Sequence, residues 1–325
     1  MPLLEVNSLV VEYRTSRGKI TAVEDVSFSL EKGETLGLAG ESGSGKSTLG
    51  LSIMRLVPYP GTIAGGQIKI DGVDILKLRE QEMRAIRGRK VAYVFQDPMT
   101  SLNPVKRIGD HFVEFICTHE PTVKKGQAFN RAKDILKNLG ISPERIGDYP
   151  HQFSGGMRQR IMIGLAIALN PDLVIADEPT TALDVIVQAK ILDLLETLRR
   201  IYGMALILIS HDLSIILERC KKIIVLYAGQ MVEYANSEEL HENPMHPYTQ
   251  GLLRSIPNIE LSDQQLSAIP GSPPNMLNPP PGCRFWPRCQ FAEKKCSSEA
   301  PPLVDVGNQH FVRCFFHVSE GTNNE

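Results

Sequence analysis

Along residues 1–235, short apolar runs alternate with stretches whose apolar positions recur at a helical period. Strands are predicted at Leu3–Tyr13, Val26–Leu30, Thr35–Ala39, Gln67–Ile70, Val91–Phe95, Leu173–Ala176, Ala205–Ile209 and Ile223–Tyr227. Several of these runs are continuously apolar, which suits strands buried on both faces of a mostly parallel sheet. Asp184–Ile201 differs: Val187, Ile191, Leu194, Leu195 and Leu198 form one apolar stripe, and Gly203 is placed to stop the helix. Strands alternating with helices predict an α/β fold. Over residues 105–170 the strand signal vanishes, and Ile108–His119, Gln127–Leu139 and Gly155–Leu169 read as helices. From Glu238 onward the periodicity fades into a proline-rich approach to a group of cysteines. The pattern therefore places an α/β domain at 1–235, with a helical subdomain inserted at 105–170. A small irregular domain follows at 236–325.

Composition narrows the class. Hydrophobic residues are 42% and charged residues 22%, which excludes disordered, collagenous and coiled-coil chains. Lysine plus arginine (35) against aspartate plus glutamate (37) leaves a net charge of −2, so nothing demands a nucleic-acid partner. No apolar run approaches the roughly 18 residues that span a bilayer. The opening MPLLEVNSLVVEY carries Glu5 and lacks the basic start of a secretory signal. A cytosolic chain is expected, held at a membrane only by other proteins. Of the 22 prolines, 12 lie in residues 235–325, which supports a boundary there. Cys117 and Cys220 stand apart, whereas Cys283, Cys289, Cys296 and Cys314 crowd the C-terminal segment. In a reducing cytosol such a group points to metal more than to disulfides.

The chemistry-bearing residues sit at strand ends. Gly40, Glu41, Ser42, Gly43, Ser44, Gly45, Lys46, Ser47 and Thr48 follow the strand Thr35–Ala39 and precede Leu49–Leu56, which can be helical. Strand, glycine loop and helix are the context a Walker A match requires. The glycines let the backbone turn several N–H groups toward one anion, and the helix start adds its positive dipole end. Lys46 is placed to reach the β and γ phosphates of ATP, and the Ser47 hydroxyl to ligate Mg²⁺. Leu173–Ala176 runs into Asp177, suited to hold that metal through water, and Glu178, suited to deprotonate an attacking water. Gln96 follows Val91–Phe95, where an amide can bridge metal and water. His211 ends the strand after the Asp-Glu strand, where a neutral imidazole can donate to the γ-phosphate. Taken singly, an acidic strand end or a lone histidine is more often structural; the phosphate loop shifts the first reading toward catalysis, and the place of His211 after the next strand shifts the second.

Phe153-Ser154-Gly155-Gly156-Met157-Arg-Gln-Arg160 opens a helix and resembles the signature motif of ABC-transporter ATPases. The resemblance covers residues 1–235 in motif order: Tyr13, the Walker A loop, Gln96, the signature, Asp177-Glu178, Ala182-Leu183-Asp184 and His211. It implies a RecA-like P-loop core with a helical subdomain and an antiparallel β region near the N-terminus. It also implies that Tyr13 stacks on adenine, and that Ser154, Gly155 and Gly156 cap a nucleotide held by a second ATPase subunit. Asp184 is then expected at the interface between the two ATPases. Met157 stands where the family usually has glutamine, which removes a polar contact toward the partner's ribose.

The segment Arg87–Pro104, then His246-Pro-Tyr-Thr-Gln-Gly-Leu-Leu253 and the cysteine-bearing tail, is similar to the dipeptide/oligopeptide importer ATPases. Nickel and glutathione importers share this pattern, and a soluble ABC ATPase without a transporter is a further alternative. The importer resemblance implies two transmembrane permeases, an extracytoplasmic peptide-binding protein and a peripheral place on the cytoplasmic face of the membrane. The four cysteines are spaced C-x5-C-x6-C-x17-C, without the close pairs common in structural zinc sites. Four thiolates are the usual ligands of a cubane, and some importer ATPases with such a tail carry one, so a [4Fe–4S] cluster is expected, with zinc, free thiols or artefactual disulfides as alternatives. Phe285, Trp286, Phe291, Phe311, Phe315 and Phe316 are candidates for an apolar shell around it.

Overall fold

The structure, a computed structural model, describes residues 1–97, 101–181, 183–256 and 269–317. Ala182 and residues 98–100 of the segment after Gln96 lie outside the described residues. In chain order, the first elements are β1 (Leu4–Thr15), β2 (Gly18–Leu30), β3 (Thr35–Ala39), α1 (Lys46–Ile53), β4 (Gly61–Ile70), β5 (Val73–Asp74), α2 (Glu80–Ile86) and β6 (Val91–Val94). Next come α3 (Ile108–His119), α4 (Lys125–Asn138), α5 (Gly155–Ile167), β7 (Leu173–Asp177), α6 (Val185–Tyr202), β8 (Ala205–Ile209) and α7 (Leu213–Arg219). The last are β9 (Lys222–Tyr227), β10 (Gln230–Asn236), α8 (Ser237–Glu242), α9 (Pro247–Arg254), α10 (Lys294–Ser298), β11 (Val304–Asp305) and β12 (Phe311–Val312).

The chain forms two compact units: residues 1–4, 30–34 and 69–207, and residues 5–29, 35–68 and 208–325. In the first, β6 and β7 pair in parallel from Val91↔Leu173 to Val94↔Ala176, and every residue of both is buried. That is why neither shows alternation in the sequence. Helices α3, α4 and α5 pack on one another, and α5 also packs on β6. They bury Phe112, Ile116, Ala132, Ile135, Ile161 and Ile163. No strand interrupts the described part of residues 105–170, as the lost alternation predicted. Helix α6 is bounded as its caps require. Asp184 Oδ1 accepts from Val187 N at 2.9 Å, and Gly203 stops it in the left-handed region at φ 63°.

In the second unit β3 and β9 pair in parallel, β9 pairs antiparallel with β10, β10 with β12, and β12 with β11. Strand β1 lies between β2 and β4, the expected β region near the N-terminus. The segment 236–256, where periodicity fades, is more regular than its sequence suggests. Two short helices, α8 and α9, occupy it. Helices of six and eight residues are too short to show a period, and only the second carries a side-chain cap. Pro247 takes the first turn of α9, and His246 Nδ1 accepts from Tyr248 N at 3.0 Å.

One carboxylate organises this end of the second unit. Glu233 of β10 is fully buried and accepts from Met245 N at 2.7 Å, His246 N at 3.0 Å and His310 Nε2 at 2.8 Å. Burial opposes charge on His310, but the Glu233 hydrogen bond and charge outweigh it and raise the imidazole above its ordinary value of 6.5. Burial holds His246 down at about 4. The signs differ. His310 stabilises most below its unfolded value, and that contribution is lost as pH rises through its raised folded value. The depressed His246 costs stability as pH falls from 6.5 toward 4, because the unfolded chain takes up that proton first. We expect thermal stability to fall on both sides of pH 6.5, and His310→Gln to flatten the alkaline limb alone. Melting curves across pH 5 to 8.5 check this, and an alkaline limb unchanged by the substitution would contradict it.

Candidate active site

The phosphate loop belongs to the second unit. It joins β3, wholly buried, to α1. Gly40 has φ 143°, and a Cβ there would lie 2.2 Å from Leu226 O. Gly45, the residue before α1, has φ 103°, and its Cβ would lie 2.3 Å from Ala22 O. Both positions combine a positive φ with a backbone wall, so only glycine fits. The loop closes on its own lysine. Lys46, 5% exposed, donates from Nζ to Gly40 O at 2.7 Å and to Glu41 O at 2.9 Å. The Ser44 hydroxyl is buried with no hydrogen-bond partner among the described residues. Ser47 and Thr48 occupy the first turn of α1, and Tyr13 OH lies 3.5 Å from Thr48 Oγ1. Gly61 passes so close that a Cβ there would be 2.6 Å from the Tyr13 ring. His211, exposed, stands on the turn from β8 to α7. That turn is fixed by Asp212 N donating to Ser210 Oγ at 3.0 Å and Ser214 N to Asp212 Oδ1 at 2.9 Å.

The acidic residues belong to the first unit. Asp177 ends β7, 6% exposed, and its Oδ2 accepts from Tyr93 OH at 2.7 Å. Burial first, and then the Asp177 charge, push the Tyr93 hydroxyl well above its ordinary value, so it remains a donor. Glu178 adopts φ 43°, a left-handed conformation that is strained for a residue with a Cβ. Its Oε2 accepts from Thr181 Oγ1 at 2.8 Å and from Gln96 Nε2 at 3.3 Å. Gln96, Asp177 and Glu178 are thus gathered in this unit. Tyr93 and Thr181, which the sequence did not single out, donate hydrogen bonds to Asp177 and Glu178. Tyr93 is hidden in the sequence as one aromatic in an apolar run. Thr181 follows Glu178 by three residues, a spacing that is the available signal.

Ser154 caps α5, its Oγ accepting from Met157 N at 3.4 Å, and Gly155 and Gly156 open the helix. Asp184 caps α6 nearby: a Cβ on Gly156 would lie 2.6 Å from Val187 Cγ1, so the two helix starts approach closely. Arg145 Nη1 reaches Met157 Sδ at 3.7 Å and its guanidinium lies 4.1 Å over the Phe153 ring. The methionine in the signature therefore packs locally, where the family's usual amide would add a polar group.

The four C-terminal cysteines are all free. Cys283 N donates to Cys296 O at 2.9 Å. Burial raises the Cys283 and Cys289 thiols and pushes Cys314 up to about 11, and Cys314 also feels Cys283, Cys289 and Cys296. The four thiols are electrostatic neighbours, and as a donor set they suit a soft metal. No group of three or more His, Cys, Asp or Glu closes into a metal-holding cluster among the described residues. The expected aromatic shell is corrected in part. Phe291 and Phe316 are 44% and 41% exposed, and Phe285 packs on Tyr227 and Tyr248 at 5.2 and 5.4 Å.

Residues 23–181 match the family described as ABC transporter, and residues 232–296 the family described as oligopeptide/dipeptide transporter, C-terminal region. The chain is 45% identical over 315 residues to the oligopeptide transport ATP-binding protein OppD of Bacillus subtilis (strain 168), covering 96% of this chain and 88% of that one. It is 44% identical over 313 residues to the dipeptide transport ATP-binding protein DppD of Lactococcus lactis subsp. cremoris (strain MG1363), covering 96% and 90%. The dimeric ATP-binding cassette MJ0796 in a post-hydrolysis state bound to ADP and Pi superposes with a TM-score of 0.64 at 28% identity, over 72% of this chain and 98% of that one. CbiO1 from Clostridium perfringens, part of the ABC transporter complex cbiONQ, gives 0.63 at 25% identity, over 74% and 91%. The fold and its phosphate loop are those of an ABC-type ATPase. Within that class, the chain belongs to the oligopeptide and dipeptide transport ATP-binding proteins.

Proposed function

We propose that this chain hydrolyses ATP to power import of dipeptides or oligopeptides. In this reading it works on the cytoplasmic face of the membrane with a homologous second ATPase subunit, beneath two transmembrane permeases fed by an extracytoplasmic peptide-binding protein. The observation that carries the reading is the likeness, over nearly the whole chain, to ATP-binding proteins named for oligopeptide and dipeptide transport. That likeness favours peptides over nickel or glutathione, which the same ATPase would serve equally well. Among the described residues, no helix is long and apolar enough to cross a membrane.

Residues 1–235 supply the hydrolysis in this proposal, and residues 236–325 a C-terminal domain. The N–H groups of Gly40–Thr48 and the Lys46 ammonium hold the phosphates, Tyr13 stacks on the adenine, and Ser154, Gly155 and Gly156 cap the nucleotide of the second subunit. Asp184 stands at the interface between the two ATPases. Ser47, Gln96 and Asp177 are the groups that would hold Mg²⁺; two carry oxygens suited to a hard cation, and the Gln96 amide a third. Mg²⁺, when bound, offsets phosphate charge. Glu178 takes the proton of the attacking water, Gln96 and Thr181 fix its carboxylate by the hydrogen bonds described above, and His211 donates to the γ-phosphate.

Cys283, Cys289, Cys296 and Cys314 would hold a [4Fe–4S] cluster that staples a segment poor in regular structure; its role is structural, since hydrolysis moves no electron. Four free thiols, three of which act electrostatically on Cys314, support this. Anaerobically purified protein is expected to be brown, with about four irons per chain. Colourless protein holding one zinc would defeat the cluster and leave the ATPase untouched. Hydrolysis itself is tested by Glu178→Gln in the assembled transporter. We expect nucleotide affinity to be retained and turnover to fall by roughly 10² to 10⁴, the usual worth of a general base. Normal turnover in that variant would remove Glu178 from the role of base.

A further inference from the structure

Glu41 is an awkward residue for its position. It lies between Gly40 and Ser42 in a loop that is to receive a polyphosphate, where an uncompensated carboxylate repels the ligand. Its charge is met from 247 residues away in the chain: Arg288 Nη1 and Nη2 donate to the two Glu41 oxygens at 2.7 and 2.9 Å. This is a two-pronged pair, which fixes orientation as well as charge. The Arg288 side chain is 5% exposed against 27% for Glu41, so the cation is withdrawn from water and committed to its partner. It is held there by Nε donating to Pro270 O at 2.8 Å and Nη1 to Tyr227 OH at 3.3 Å. The Glu41 backbone is gripped too. Its N–H donates to the buried Tyr248 hydroxyl at 2.8 Å, and its carbonyl accepts from Lys46 at 2.9 Å. Pro273, Pro274 and Met276 line one cavity together with Glu41, Ser42, Gly43 and Ser44. The C-terminal segment is therefore built against the phosphate loop within a single compact unit.

We propose that Arg288 is a positioning residue for nucleotide binding: by neutralising and orienting Glu41, it lets the phosphate loop accept a polyphosphate and makes nucleotide affinity depend on the C-terminal segment. The proposal rests on the reading of Gly40–Thr48 as the phosphate site. Removing Arg288 leaves a free carboxylate in the loop, and removing the Glu41 charge as well should cancel the penalty. A mere packing role gives no such rescue.

The test is titration of the full chain with MgADP, with a thermal melt for each variant. Arg288→Gln is expected to weaken MgADP binding by roughly 10- to 100-fold, the span of a lost charged hydrogen bond. The double variant Glu41→Gln/Arg288→Gln is expected to recover most of that loss. If Arg288→Gln does not fold, Arg288→Lys and its Glu41→Gln double carry the same comparison, with a smaller loss. Wild-type affinity in Arg288→Gln overturns the proposal, as does a double variant that binds as weakly as the single. A wild-type chain that fails to bind MgADP overturns the phosphate-loop reading itself, which separates the two failures.

Discussion

The second unit holds the loop Gly40–Thr48, whose proposed role requires backbone amides turned toward an anion. Buried backbone groups are almost always satisfied, so a loop of this kind needs unusual geometry and external support. Gly40 and Gly45 supply the geometry, each pressed against a carbonyl that admits no side chain. Lys46 supplies an internal brace, bonding to the carbonyls of Gly40 and Glu41. The remaining support comes from Tyr248 and Arg288, both in the C-terminal segment. A tail that reads as an appendage in composition is, in space, part of the frame of the phosphate loop.

The first unit solves a different problem with similar means. Glu178 carries its carboxylate at the end of a buried strand in a strained backbone conformation, and the carboxylate accepts from Thr181 and Gln96. Asp177, just before it, is tied to β6 through Tyr93. The hydrogen bonds described above thus reach the two adjacent carboxylates from different residues.

Much of this was legible in the sequence, for reasons that can be named. Strands β6 and β7 are buried on both faces, so their runs are wholly apolar. Helix α3 was expected at Ile108–His119 and spans those residues, because its stripe is long enough to show a period. Helix α6 begins and ends at a cap pair, Asp184 and Gly203, that local chemistry dictates. Helices α2, α7 and α8 were missed because six or seven residues give less than two turns. Strand β10 was missed because Glu233 interrupts its apolar pattern. That carboxylate is buried only because Met245, His246 and His310 meet it there. The pairing of Glu41 with Arg288 has no local signal at all, since 247 residues separate the partners. Motif spacing picks out the residues proposed to bind phosphate, but it does not show what holds them in place.

In the function proposed for this chain, ATP hydrolysis drives peptide import. The most direct measurement reconstitutes this chain with its co-purifying membrane proteins in sealed vesicles and follows labelled dipeptide and oligopeptide uptake with and without hydrolysable ATP. Accumulation of peptide that needs hydrolysis and stops with a non-hydrolysable analogue is the expected result. Uptake of nickel or glutathione in place of peptide, or ATP turnover by a chain that associates with no membrane protein, would contradict it.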